Sequence, residues 1–316
     1  MNREHLTENN CNNSRFSSLS HSMLHALRSV LGAWCLVLLL FFASTALAAE
    51  PAPKAPSGGF GVSLGPSKIR FSGAPGETQQ SSVRIWNQSQ NSMRFMLEIA
   101  DLGNEVDKAG KLNRVFAAPG SLAHSCASWI QIEQNELTVQ AGGFQDVKFL
   151  LAVPPDAVGG HAAVIFFRGV PAAAAAAAEA DPSKSTTIVQ IQPRIGVLIF
   201  HEASGTVQRT GRLEDFKAEA PLDGEPLRMT YTFENTGNVD ILLGGSFYLL
   251  GENNALAAKG SINTLRSFPG DHGQSETVWE GVLDPGKYHL VASFELGPDG
   301  QEVIVREADL EVTESV

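Results

Sequence analysis

The chain has 316 residues and a net charge of −11, with 18% charged and 43% hydrophobic residues, the balance of a globular protein long enough for two ordinary domains. An acidic chain with no block of clustered Lys and Arg argues against nucleic acid and anionic lipid as partners, because both are bound by concentrated positive charge. Thirty Gly and 16 Pro against only three Tyr point to many turns.

At the N-terminus Arg28 precedes an apolar run from Leu31 to Phe42, and Ala46-Leu47-Ala48 then supplies small residues at the two positions a signal peptidase reads. Residues 1–48 are therefore read as a secretory signal cleaved after Ala48. The run is shorter than the about 20 apolar residues that span a bilayer. Met23 is an alternative start. No second apolar stretch of membrane length follows, and the last residues, Glu311 to Val316, are polar. The expected mature protein has no membrane anchor and is free in the periplasm or outside the cell. Cys11 and Cys35 leave with the leader, so Cys126 has no internal disulfide partner and is read as a small buried apolar residue.

Residues 49–59 are rich in Pro, Ala and Gly and form an extended lead-in. From Phe60 the pattern becomes short apolar alternations between turn residues. Val62, Leu64, Ile69 and Phe71 mark a first strand region broken at Gly65-Pro66, and Val83, Ile85 and Trp86 mark a second. Met93, Phe95, Leu97 and Ile99 keep period two, the mark of a half-buried strand. The polar stretch Asn87 to Ser92 between them predicts a hairpin turn, and Asp101 to Ala127 reads as a long irregular loop with short strand pieces. Strands resume at Trp129 to Ile132, Leu137 to Val139 and Val147 to Val153. Ala162 to Phe167 is continuously apolar, as in a strand buried on both faces.

Seven alanines, Ala172 to Ala178, then sit in a predicted hairpin loop, 171–185, since so few residues hold no isolated helix in water. Thr186 to Phe200 reads as one long strand. Pro193 cannot donate to a ladder, which places this strand at an edge or gives it a bulge. The second block begins near His201 and alternates at Leu227 to Phe233, Tyr288 to Phe294 and Val303 to Val312. Strands at this spacing, with no helical period outside the leader, predict an all-β chain of two immunoglobulin-like β-sandwich domains, 60–203 and 204–316.

Chemistry-bearing motifs are scarce. His124 and Cys126 are two apart, with no second pair to complete a metal site. His201, His272 and His289 stand alone and read as surface or loop histidines. Asp271-His272 lacks a nucleophile elbow, and Gly59-Phe60-Gly61 is too slight for a dinucleotide fingerprint. No catalytic residue, cofactor or metal is assigned, and an enzyme is not expected. Recognition by an open sheet edge remains, because an edge is a template for an incoming strand.

Gly61-Val62-Ser63-Leu64, followed by Lys68-Ile69-Arg70-Phe71 and Gly73, resembles the opening strand of PapD-like periplasmic pilus chaperones. Val83 to Asn87 resembles their second strand, and Thr187 to Phe200, with Gln192-Pro193-Arg194-Ile195-Gly196, resembles the last strand of their first domain. The resemblance spans about Gly61 to Phe200. It implies a chaperone-like protein that binds secreted, pilin-like subunits by strand addition. The donated positions fall on Thr187, Val189, Ile191 and Ile195, with Pro193 in phase. In that family an Arg and a Lys hold the subunit's terminal carboxylate. Here the first position is Lys68 and the second Gly196, so half of the clamp remains, with Arg70 and Arg194 as nearby charges that could substitute. The second block, through Phe233 to Asn238 and Trp279 to Tyr288, resembles bacterial surface immunoglobulin-like modules. The whole chain is also similar to two-domain proteins that bind WxL-type cell-wall proteins. These imply the alternative of a structural or adhesive envelope protein that binds another envelope protein through its second sandwich.

Overall fold

The computed structural model describes residues 61–170, 192–222, 225–297 and 302–313, all within one compact unit, Ala55–Val316. The expected signal, the lead-in, the Ala-rich loop 171–185, and Thr187, Val189 and Ile191 lie outside the described residues.

The opening strand divides between two sheets. β1 (Val62–Gly65) pairs antiparallel with β3 (Thr78–Asn87). After Gly65-Pro66, where Pro has no N–H to continue a ladder, β2 (Lys68–Gly73) pairs parallel with β10 (Arg194–Ala203). The first sheet is completed by β8 (Phe144–Ala152) and β6 (Ile130–Ile132), in the order β1-β3-β8-β6. The second runs β2-β10-β9-β4-β5, with β9 (Gly160–Val170), β4 (Met93–Val106) and β5 (Leu112–Ala117), and β7 (Glu136–Val139) also on β4. Alternate residues of the two sheets meet in one core that includes Ile85, Phe95, Phe149, Leu151, Ile165, Phe167, Val197 and Ile199, all 1% exposed or less. Cys126 joins this core, and burial pushes its thiol up beyond the range where it ionises.

A second pair of sheets follows. One is β11 (Gly211–Glu219), β12 (Leu227–Asn235) and β16 (His272–Trp279). The other is β14 (Leu256–Ser261), β13 (Ile241–Leu250), β17 (Gly286–Leu296) and β18 (Val303–Val312), with β15 (Leu265–Ser267) against the start of β13. Their core holds Met229, Tyr231, Phe233, Phe247, Leu249, Leu290 and Phe294. β13 runs unbroken through Gly245 (φ +141°), which lets its backbone pass Ser293, whose carbonyl oxygen would lie 2.0 Å from any Cβ there.

Three expectations are corrected. Asn87 to Ser92 is not a hairpin turn, because β3 and β4 belong to different sheets. The buried Asn87 shapes this crossover: its Nδ2 donates to the carbonyls of Asn91 (2.7 Å) and Val139 (3.1 Å), and its Oδ1 accepts from the Ser89 amide (3.0 Å). Asn235 repeats the device between β12 and β13, donating to Val239 (2.9 Å) and Ser267 (3.1 Å) and accepting from the Gly237 amide (3.0 Å). Second, the strand pieces within Asp101 to Ala127 are not isolated: β4 runs on to Val106 and folds back as β5, and the loop is confined to 107–111 and 118–126. Third, His201 is not on the surface but 1% exposed.

The two cores are joined by a seam. Phe268, from the second pair of sheets, packs with Leu102, Ala162 and Phe200. The β4–β5 hairpin reaches over the seam, with Lys111 Nζ donating to Glu276 (2.7 Å) and Asn104 donating to Asp271 (2.7 Å).

Candidate partner-binding edge

β10 carries every described candidate except Lys68 and Arg70. Its odd positions, Ile195, Val197 and Ile199, face the first core, with Ile195 half-buried at the end of the row. Its even positions, Arg194, Gly196, Leu198 and Phe200, face outward from that core and meet Val164, Phe166 and the seam.

The pairing of β10 decides which part of it is open. One side is matched to β9 along the strand from Arg194↔Arg168 to Glu202↔Gly160. The other side is matched to β2 only from Leu198↔Lys68 onward. Among the described residues no strand pairs with Arg194 to Val197 on that side. The edge predicted for Thr186 to Phe200 is therefore corrected in extent: from Leu198 the strand is interior and runs on to Ala203. Leu198 donates to Ser67 (3.0 Å) on the β2 side, whereas Pro193 accepts from Gly169 (2.8 Å) on the β9 side. Backbone groups alternate sides along a strand, so Arg194 and Gly196 turn their N–H and C=O to the open side.

The cations divide unequally. Lys68 is exposed and has no ion pair among the described residues. Arg70 is engaged in the seam: it donates to Asp240 Oδ1 (3.0 Å) and Oδ2 (2.9 Å) and to Glu202 (2.5 Å), and lies 4.8 Å from the centre of the Phe200 ring. Arg266 also bonds Asp240 and covers Phe200 at 4.6 Å, while Arg209 bonds Glu202 at 2.9 Å. Arg194 stacks 3.5 Å from the Phe166 ring centre and reaches Glu98 at 3.5 Å. Glu98 also accepts from Arg168 (2.5 Å), and that hydrogen bond holds its carboxyl below the usual carboxylate range. Arg194 lies four residues from the level of Lys68, about 13 Å along the strand, and its guanidinium is turned to Phe166 and Glu98.

The glycine at the second clamp position has a steric cause. A Cβ on Gly196 would lie 2.8 Å from Val164 and 2.9 Å from Phe166, closer than carbon atoms approach. Phe116, 45% exposed, meets Phe166 edge-on with ring centres 4.9 Å apart. The outer face beside the open edge is thus an aromatic and guanidinium surface. Phe116, Phe166 and Glu98 carry no motif by which sequence reasoning could single them out. Among the described residues no group of three or more His, Cys, Asp or Glu could hold a metal ion.

No family model matches the sequence, and no curated protein matches it. Solved structures of fimbrial and pilus chaperones are similar to this chain. They include the Class 5 fimbriae chaperone CfaA (12% identity over 78% of this chain and 98% of that one, TM-score 0.40) and the YadV chaperone (10% identity over 79% and 100%, TM-score 0.41). The CsuC–CsuE chaperone–tip adhesion subunit complex of Acinetobacter baumannii Csu pili is also similar (8% identity over 79% and 97%, TM-score 0.40).

Proposed function

We propose that this chain is a periplasmic chaperone-like protein, exported by a cleaved signal, that binds pilin-like or other secreted subunits by β-strand addition at the open half of β10. The observation that carries the reading is the unpaired side of Arg194 to Val197, beside a half-buried Ile195 at the end of the first core. Two residues facing that side offer at most four ladder hydrogen bonds. At about 0.5–1.5 kcal/mol net each, these give about 2–6 kcal/mol, which reaches only the bottom of an association cost of about 4–15 kcal/mol. Side chains must supply the difference, and Thr187, Val189 and Ile191 continue the odd phase of Ile195 in sequence. Exposed Lys68 adds a single point charge for an acidic group on the subunit, without the fork of an Arg.

The test is co-purification of a subunit from the exported fraction with the Val189→Asp/Ile191→Asp variant. Binding is expected to be lost while the urea midpoint stays unchanged. Retained binding would remove the Thr186 to Phe200 strand as the donor and move recognition to the second sandwich. Side-chain variants are preferable to deleting residues 205–316, because Phe268 packs on Phe200 and its loss would expose the seam.

A further inference from the structure

A cluster of imidazoles lies at the seam end of the first sandwich, away from the open edge. His161 on β9 and His201 on β10 are directly opposite each other, and both follow the odd phase that faces the first core. Trp129 sits against both rings, its centre 4.3 Å from that of His161 and 5.7 Å from that of His201. His124 comes within 6.4 Å of His161 from the loop before Trp129. That loop is tied to β9 by the Ala162 amide donating to His124 (2.9 Å) and the Cys126 amide donating to Ala162 (3.2 Å). Its other anchor is Asp101, which accepts from the amides of Gly120 (2.9 Å) and Leu122 (2.8 Å) and from Ser125.

We infer that His161, His201 and Trp129 form an acid-sensitive plug, which holds the seam end of the first sandwich while the imidazoles are neutral and loosens when they are protonated. The ring nitrogens of both histidines are closed to solvent and meet no hydrogen-bond partner of good geometry, although backbone groups of Val158 and Ser125 approach His161. Burying a charge in such a place is costly. The charged and titratable groups facing the cluster are few. Asp271 faces His124, and Glu77 and Glu202 face His201, each favouring protonation, while His124 and His201 oppose protonation of His161. Burial prevails at all three rings: it pushes His161 down to about 4 and also lowers His201 and His124.

The plug adjoins the seam directly. The Gly160 amide, next to His161, donates to Asn238 (2.7 Å), and the Gly159 amide donates to Thr206 (2.8 Å). A histidine whose folded value lies below its unfolded value adds stability that is present above the unfolded value and lost as pH falls through it. For His161 the window runs from pH 6.5 down to about 4. Between pH 7.5 and 5.0, linkage at this one ring raises the unfolding equilibrium constant by about 30-fold.

Urea unfolding of the full chain at both pH values, compared with the His161→Phe/His201→Phe variant, tests this. Carboxylate contributions are shared and cancel. The unfolding equilibrium constant of the natural chain should rise at least about 30-fold more than that of the variant, and the protection factor of the Gly160 amide, its exchange rate relative to the unstructured rate at the same pH, should fall over the same range. An equal pH dependence of the two proteins overturns the inference. If the variant fails to fold, the natural chain's histidine ring signals at pH 5.0 decide. At least one ring still neutral supports the plug, and all rings protonated with ordinary midpoints refutes it.

Discussion

Replacing Asp240 by alanine removes the anion on which two guanidiniums converge. Its side chain is 5% exposed, that of Arg266 is 9% exposed and that of Arg70 31%. Arg70 keeps Glu202 at 2.5 Å and some contact with solvent. Arg266 has no other carboxylate partner among the described residues. It also lies over the same Phe200 ring that Arg70 covers, so the variant holds two cations on one ring with less charge to balance them. Breaking a buried pair by removing one member costs about 3–5 kcal/mol. The partial exposure of Arg70 points to the lower half of that range, about 3–4 kcal/mol. Urea unfolding followed by circular dichroism measures the loss. The double variant Asp240→Leu/Arg266→Met removes both charges, and replacement of a buried pair by apolar groups is often nearly neutral. It should therefore be at least about 1.5 kcal/mol more stable than the sum of the single losses, within the coupling seen for residues in contact. A loss below about 0.5 kcal/mol for Asp240→Ala, the range of ordinary surface changes, would refute the reasoning that Asp240 balances the two buried guanidiniums. Strict additivity in the double variant would refute the coupling.

Two further predictions concern the strand and the crossovers. Gly196→Lys restores the cation that the pilus-chaperone resemblance calls for, but its Cβ must displace Val164 and Phe166, so a loss of about 1–3 kcal/mol is expected. Adding Phe166→Ala should relieve that crowding, which thermal unfolding of the single and double variants will show. Asn87→Ala and Asn235→Ala each leave a buried crossover without its donors, at about 1–3 kcal/mol apiece. The sites lie in different sandwiches, so the losses should add within about 0.5 kcal/mol when the double variant is unfolded in urea.

Where alternation was clean, the strands were legible in the sequence. Leu227, Met229, Tyr231 and Phe233 all fall in the second core. Ala162 to Phe167 is indeed buried on both faces, with Ala163, Ile165 and Phe167 against the first core, Ala162 against the seam, and Val164 and Phe166 against Ala100 and Leu198 on the outer face. Alternation does not say which strand is the neighbour, so the polar stretch after Asn87 reads as a hairpin turn although it is a crossover between sheets. It also fails where a polar side chain is buried with its own partners. Asp101 (0% exposed) interrupts the apolar pattern of β4 and hid the hairpin that follows. His161 and His201 were missed for a related reason: each is one residue in a strand, and only the β9–β10 register brings them to the same Trp129 ring.

The candidate cations show the same limit in reverse. Lys68 and Arg70 are two apart on β2, so they share a face and look interchangeable in the sequence. What separates them is the distance to the second sandwich. Arg70 reaches the buried Asp240 and is held there by two hydrogen bonds, while Lys68 has no ion pair among the described residues. Arg194 is removed from the clamp in another way, by Phe166 beneath it and Glu98 beside it. The same Phe166 excludes a side chain at Gly196. One aromatic residue thus both holds Arg194 aside and excludes a side chain at Gly196, and the strand addition we propose at this edge relies on backbone pairing and apolar donation more than on a two-cation grip of a carboxylate.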